Sequence, residues 1–152
     1  MFSFFLRAPL AGLLAYFLVL VIEASILKGV DPSQQKSWIF IFFPALIEEA
    51  LKIGFIKKIT EPAGNILPVI ILVCLSFGLA EAFFSSEKTI FEFVRLPFVH
   101  LVFTGFGFLT IELASRAKKK IGTLFNLIIW ILASSLLHWA FNLAILNFNR
   151  PF

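Results

Sequence analysis

An all-α fold, a polytopic membrane protein built as a bundle of about five transmembrane helices, is predicted by three features of this sequence. Of its 152 residues 60% are hydrophobic and only 14% charged, against roughly 25% charged in soluble domains. The mean hydropathy is +0.98, and 21 side chains are Phe. A soluble core of one-domain size has too little interior for so much apolar surface, so lipid must solvate the rest. Thirdly, apolar runs recur at about the 20 residues a helix needs to cross hydrocarbon, without the alternation of barrel strands. The same features exclude disorder, a secreted disulfide scaffold and a soluble enzyme. Cys74, the single cysteine, can form no intrachain disulfide.

The first span reads as about residues 5–27, ended by the turn Lys28-Gly29-Val30-Asp31-Pro32. Arg7 before an apolar stretch resembles a signal peptide, but Glu23-Ala24-Ser25 is a poor cleavage site, so the segment is kept as a helix. The second span, about 36–59, carries Glu48, Glu49 and Lys52 near its middle. The third, about 66–86, follows Glu61-Pro62-Ala63-Gly64-Asn65 and contains Glu81; an amphipathic extension is expected through Leu96, with Pro97 as the break. The fourth, about 97–115, ends in Arg116-Ala117-Lys118-Lys119-Lys120. The fifth, about 122–147, has no formal charge and carries His138 and Asn142 in its outer half. With no internal repeat, residues 1–152 read as one transmembrane domain.

The net charge of +4 does not form the basic stripe of a nucleic-acid binder; the basic residues cap apolar runs, so the expected partner is the lipid bilayer and not nucleic acid. Five spans put Arg7, Lys57, Lys58, Arg116, Lys118, Lys119 and Lys120 on one side, and Lys28, Lys36, Lys88, Arg95 and Arg150 on the other. Seven against five favours a cytoplasmic N-terminus and an extracytoplasmic C-terminus.

Ionisable groups at mid-helix cost about 2.5 to 3.5 kcal/mol each on insertion scales. Glu48, Glu49, Lys52, Glu81, His100 and His138 would together exceed about 10 kcal/mol if each faced lipid, so they are expected to face one another. Glu48 and Lys52 are i, i+4 in the favourable order for pairing; Phe77 and Glu81, and His138 and Asn142, repeat that spacing. At about 1.5 Å per residue, Glu48 lies roughly 17 Å below the outer surface, Glu81 and His138 roughly 8 Å and His100 roughly 5 Å, so one cavity in the outer half can gather four helices. Three carboxylates and one Lys leave that cavity doubly negative with neutral imidazoles. Either a divalent cation is bound or protons are shared, leaving one Glu ionised beside Lys52 as a general base. Both solutions activate water.

Four motifs occur in order: Glu48-Glu49-Ala50-Leu51-Lys52 as EExxK, Phe77-Gly78-Leu79-Ala80-Glu81 as FxxxE, His100 in His-Leu-Val-Phe-Thr-Gly, and His138-Trp139-Ala140-Phe141-Asn142 as HxxxN. This set, over about residues 44–142, resembles the PrsW family of bacterial intramembrane proteases, within the superfamily of CAAX prenyl endopeptidases and bacteriocin-processing enzymes. Where PrsW-like proteins commonly have Asp this chain has Asn142, and Asn is also what the CAAX branch has there. Lys52 and Glu81 stand where that branch has Arg, one residue later, and His.

The resemblance implies a multi-pass protein of a bacterial or archaeal cell membrane that hydrolyses a peptide bond in or beside the bilayer. Its substrate class would be a single-span membrane protein such as an anti-sigma factor. Glu48 or Glu49 would deprotonate water, Glu81 and His100 would hold that water or a metal, and His138 and Asn142 would stabilise the oxyanion or complete the coordination, with Lys52 as charge partner. The family is described both as glutamic and as metalloproteases; Glu49, Glu81, His100 and His138 make a possible Zn²⁺ set. Asn142, which supplies no anionic ligand, tilts toward the oxyanion role. Two other classes fit the residues: a non-catalytic scaffold resembling the APH-1 subunit of γ-secretase, and a proton or ion carrier using the buried chain as a relay. Structural roles are expected for Glu23 near Lys28, for the Glu112 and Arg116 pair, for Gly105 and Gly107 at helix approaches, and for Trp38, Trp130 and Trp139 as interface anchors.

Overall fold

In the computed structural model each apolar run is one helix: α1 (Phe2–Leu27), α2 (Trp38–Thr60), α3 (Ile66–Phe84), α4 (Ile90–Ala117) and α5 (Thr123–Phe148). The structure describes residues 2–28, 30–31, 37–60, 66–84, 89–117 and 123–148. A helix satisfies all its own interior backbone groups, which is the condition for crossing hydrocarbon. Four of the five, α1, α3, α4 and α5, are long and apolar enough to cross, the pattern of a multi-pass membrane protein. The remaining helix, α2, has the length, but Glu48, Glu49 and Lys52 stand in its middle.

The helices close into a ring in the order α1, α3, α4, α5, α2, with α2 also touching α3 and α4 across the interior. Thus α2, the helix least able to face lipid, packs against all four others. Burying Glu49, Lys52, Ile53 and Ile56 and leaving Phe43 exposed, it turns its charges inward.

The helices are apolar nearly all round, so small residues decide which faces meet. Ala8, Ala11, Gly12, Ala15, Tyr16 and Val19 form the inner face of α1, while Leu6, Leu10, Leu13, Leu14 and Phe17 stay exposed. Gly12 lies so close to Val73 and Ser76 of α3 that a Cβ would overlap them, and Gly107 of α4 meets Ser134 and Trp130 of α5 in the same way. Gly105 instead faces open space, so of the two glycines expected at helix approaches only Gly107 serves as one.

One boundary differs from expectation. Pro97 does not break a helix; it lies inside α4, which begins at Ile90. A proline costs α4 the hydrogen bond to the carbonyl four residues earlier, but packing against a neighbouring helix makes that tolerable in a membrane bundle. Here the neighbour is Gly78, whose missing Cβ would lie 2.5 Å from the Pro97 Cα. Counted from Ile90, His100 therefore sits about 15 Å along its helix rather than about 5 Å. Trp130 is also no interface anchor: it is buried, and its indole donates to the Thr104 carbonyl at 2.8 Å. The expected Glu112 and Arg116 pair and the lysine run 118–120 lie outside the described side chains.

Candidate functional site

The ring encloses a polar cluster drawn from α2, α3, α4 and α5. Its most fully hydrogen-bonded part centres on Glu49, which is fully buried. The Lys52 ammonium donates to Glu49 Oε1 at 2.5 Å, and the Thr104 hydroxyl donates to Glu49 Oε2 at 2.7 Å. Both carboxylate oxygens are therefore engaged, which is what a charge in a water-poor interior requires. Lys52 was expected to pair with Glu48 at i, i+4 and pairs with Glu49 at i, i+3 instead. Both spacings bring side chains together on a helix; the choice falls to Glu49 because Lys52 points to the inner face, toward α3 and α4.

That direction is fixed by two further contacts. The Lys52 Nζ lies 2.9 Å from His100 Nδ1 and 4.8 Å from the centre of the Phe77 ring. An ammonium has donors and no lone pair, so His100 Nδ1 must accept, and in the neutral ring Nε2 then carries the hydrogen. His100 Nε2 in turn donates to Glu81 Oε2 at 2.5 Å. The Phe77 ring stands edge-on to His100 with centroids 4.8 Å apart, so the i, i+4 pair Phe77 and Glu81 holds His100 by face and by edge. The result is a continuous chain from Thr104 through Glu49, Lys52 and His100 to Glu81.

Glu48 and His138 are placed differently. His138 Nδ1 lies 3.4 Å from Glu49 Oε1 and 3.8 Å from Glu48 Oε2, beyond good hydrogen-bond length. Glu48 Oε2 and His138 Nδ1 are buried with no hydrogen-bond partner. Buried polar atoms are normally satisfied, and exceptions concentrate where chemistry or a ligand completes them. The His138 ring is held from behind by Phe103, with centroids 4.9 Å apart, and by His100 at 5.4 Å. Exposure grades outward, from none at Glu49 and Lys52 to 13% at the Glu48 side chain and 35% at Glu81.

Of the residues that the sequence singles out, the fold brings Glu48, Glu49, Lys52, Glu81, His100 and His138 into this one cluster. Asn142 lies one turn beyond His138, lining a recess of about 260 Å³ with Ile41, Pro44 and Ile145. Glu23 lines a cavity of about 290 Å³ between α1 and α2 beside Pro44 and Ile47. Thr104 was missed, although it sits i+4 from His100 and so shares its helical face.

Glu48, His100 and His138 also form a candidate metal-binding group, each offering a ligand atom within 4.8 Å of the others. Glu48 takes the place that Glu49 and Glu81 were expected to fill. The donor types suit zinc, and the unpartnered Glu48 Oε2 and His138 Nδ1 are free to ligate. His100 joins them only by releasing Lys52 or Glu81. Searches of family models, curated proteins and solved structures find no match to this chain.

Proposed function

We propose that this chain is an intramembrane endopeptidase that hydrolyses a peptide bond of a membrane-anchored protein, with Glu48 as the general base. The observation that carries the reading is the pair of buried, unpartnered atoms Glu48 Oε2 and His138 Nδ1, 3.8 Å apart, at the outer edge of an otherwise satisfied network. A water received by Glu48 loses its proton to that carboxylate as it attacks the carbonyl carbon. Protonated His138 stabilises the oxyanion, and the Glu48 carboxyl then passes the proton it took from water to the leaving amine. Glu49, with both oxygens engaged by Lys52 and Thr104, is a positioning residue, and the His100 to Glu81 bond fixes the imidazole that stands against His138. Asn142, one turn further along α5, is the second candidate oxyanion donor. The resemblance to PrsW proteases supports the substrate class, a single-span membrane protein. Lysine and arginine bias supports a cytoplasmic N-terminus and an extracytoplasmic C-terminus.

The His, His and Glu group favours a metal-assisted second form. A bound Zn²⁺ would supply Lewis-acid activation of water, with Glu48, His100 and His138 as its ligands.

The test is cleavage of labelled single-span substrates by the purified protein in liposomes. Glu48→Gln and His138→Ala are each expected to lower the rate about 10²- to 10⁴-fold, with Lys57→Gln unchanged. Chelator followed by zinc separates the two forms: a glutamic enzyme ignores both, and a metal enzyme loses and regains activity. A folded protein that cuts no such substrate, or whose rate survives Glu48→Gln, overturns the proposal. In that case proton flux through liposomes or a stable complex with a partner protein would point to the carrier or the scaffold.

A further inference from the structure

A further cavity, which shares no lining residue with the polar cluster, lies where the start of α1 meets the end of α2. It measures about 390 Å³ and combines two kinds of wall. Leu10 and Leu14 from α1 and Phe55 and Ile59 from α2 supply apolar sides, and Arg7 and Lys58 supply one cation from each helix. Arg7, Leu10 and Leu14 recur at helical spacing, as do Phe55, Lys58 and Ile59, so each helix offers one stripe: on α1 the cation precedes both leucines, and on α2 Lys58 and Ile59 lie together one turn nearer the helix end than Phe55. Both cations are exposed, and among the described residues neither is in an ion pair. Lone basic side chains at helix ends snorkel to water wherever they stand. Two that converge from separate helices over one apolar cleft match a headgroup phosphate with a hydrocarbon chain below it.

We propose that this cleft is a binding site for an anionic phospholipid of the leaflet at the basic end, with the phosphate on Arg7 and Lys58, Ile59 beside the headgroup and one acyl chain along Leu10, Leu14 and Phe55. The cleft runs about 10 Å from Arg7 to Leu14, enough for the upper part of a chain. Its volume falls within the roughly 300–1,000 Å³ of small-ligand sites. Charge complementarity selects the lipid, because basic pockets between transmembrane helices bind anionic headgroups. The inference does not rest on the proposed protease activity.

The experiment is native mass spectrometry of the full-length protein titrated with phosphatidylglycerol, phosphatidylcholine or inorganic phosphate. Phosphatidylglycerol is expected to bind well above phosphatidylcholine. The double variant Arg7→Gln/Lys58→Gln is expected to bind it about 30-fold more weakly, roughly fivefold per cation. Leu14→Trp, which keeps every charge and fills the cleft, is expected to lose it as well, and Lys57→Gln, which removes a neighbouring charge outside the cleft, to keep it. Circular dichroism confirms that each variant is folded. Undiminished binding by the double variant overturns the site. An equal loss in Lys57→Gln makes the attraction diffuse, and displacement of the lipid by millimolar phosphate makes the site one for free phosphate; either result overturns the proposal.

Discussion

Replacing Lys52 by Met removes the ammonium bonded to Glu49 and leaves a fully buried carboxylate with the Thr104 hydroxyl as its one close donor and His138 Nδ1 at 3.4 Å. Breaking a buried pair by removing one partner costs about 3 to 5 kcal/mol. Glu49→Gln keeps the side-chain volume and the acceptor for Thr104, but strands the Lys52 ammonium with the neutral His100 Nδ1 at 2.9 Å as its partner, and its expected cost is again about 3 to 5 kcal/mol. The double variant holds no unpaired charge at this position. Its residual cost is the donor lost by His100 Nδ1, about 1 to 3 kcal/mol. Independent sites would give the double variant the sum of the two single costs; the structure instead implies a coupling energy of at least about 3 kcal/mol. Unfolding in mixed micelles by SDS titration, followed by tryptophan fluorescence, measures all four corners of the cycle. Single variants that cost under about 1 kcal/mol, or a double variant equal to the sum, would refute the buried pair.

Thr104→Val keeps the shape and deletes the donor to Glu49 Oε2 at 2.7 Å, so a loss of about 1 to 3 kcal/mol is expected in the same titration, with Thr104→Ser restoring most of it. Gly78→Ala brings a methyl to 2.5 Å from the Pro97 Cα, against backbone that cannot swing aside. It is expected to cost about 1 to 3 kcal/mol, whereas Gly54→Ala, with no heavy atom near its added carbon, is expected to be neutral or to stabilise by up to about 1 kcal/mol. Equal effects at the two glycines would contradict the close approach of α3 and α4.

Much of this architecture was written in the chain. The length of each apolar run marks five helices, to within a few residues except at the start of α4, because a backbone in hydrocarbon has almost no other way to satisfy its polar groups. The cost of burying charge in lipid marks Glu48, Glu49, Lys52, Glu81, His100 and His138 as residues that must meet. Pro97 misleads because a proline reads as a break until a glycine on a neighbouring helix is known to sit against it. Trp130 misleads because an indole suits both the membrane interface and the interior, and only the Thr104 carbonyl decides for the interior.

What the sequence by itself determined is which segments cross and which side chains cannot face lipid, since both follow from transfer costs borne residue by residue. Only the tertiary structure decided who pairs with whom: that Lys52 takes Glu49 rather than Glu48, that Thr104 completes that carboxylate, and that Glu48 and His138 are left with unpartnered atoms. The physical reason is that spacings of three and four are equivalent on a helix. These helices are also apolar nearly all round. Their rotations are therefore set by glycine and alanine contacts with neighbours far away in the chain.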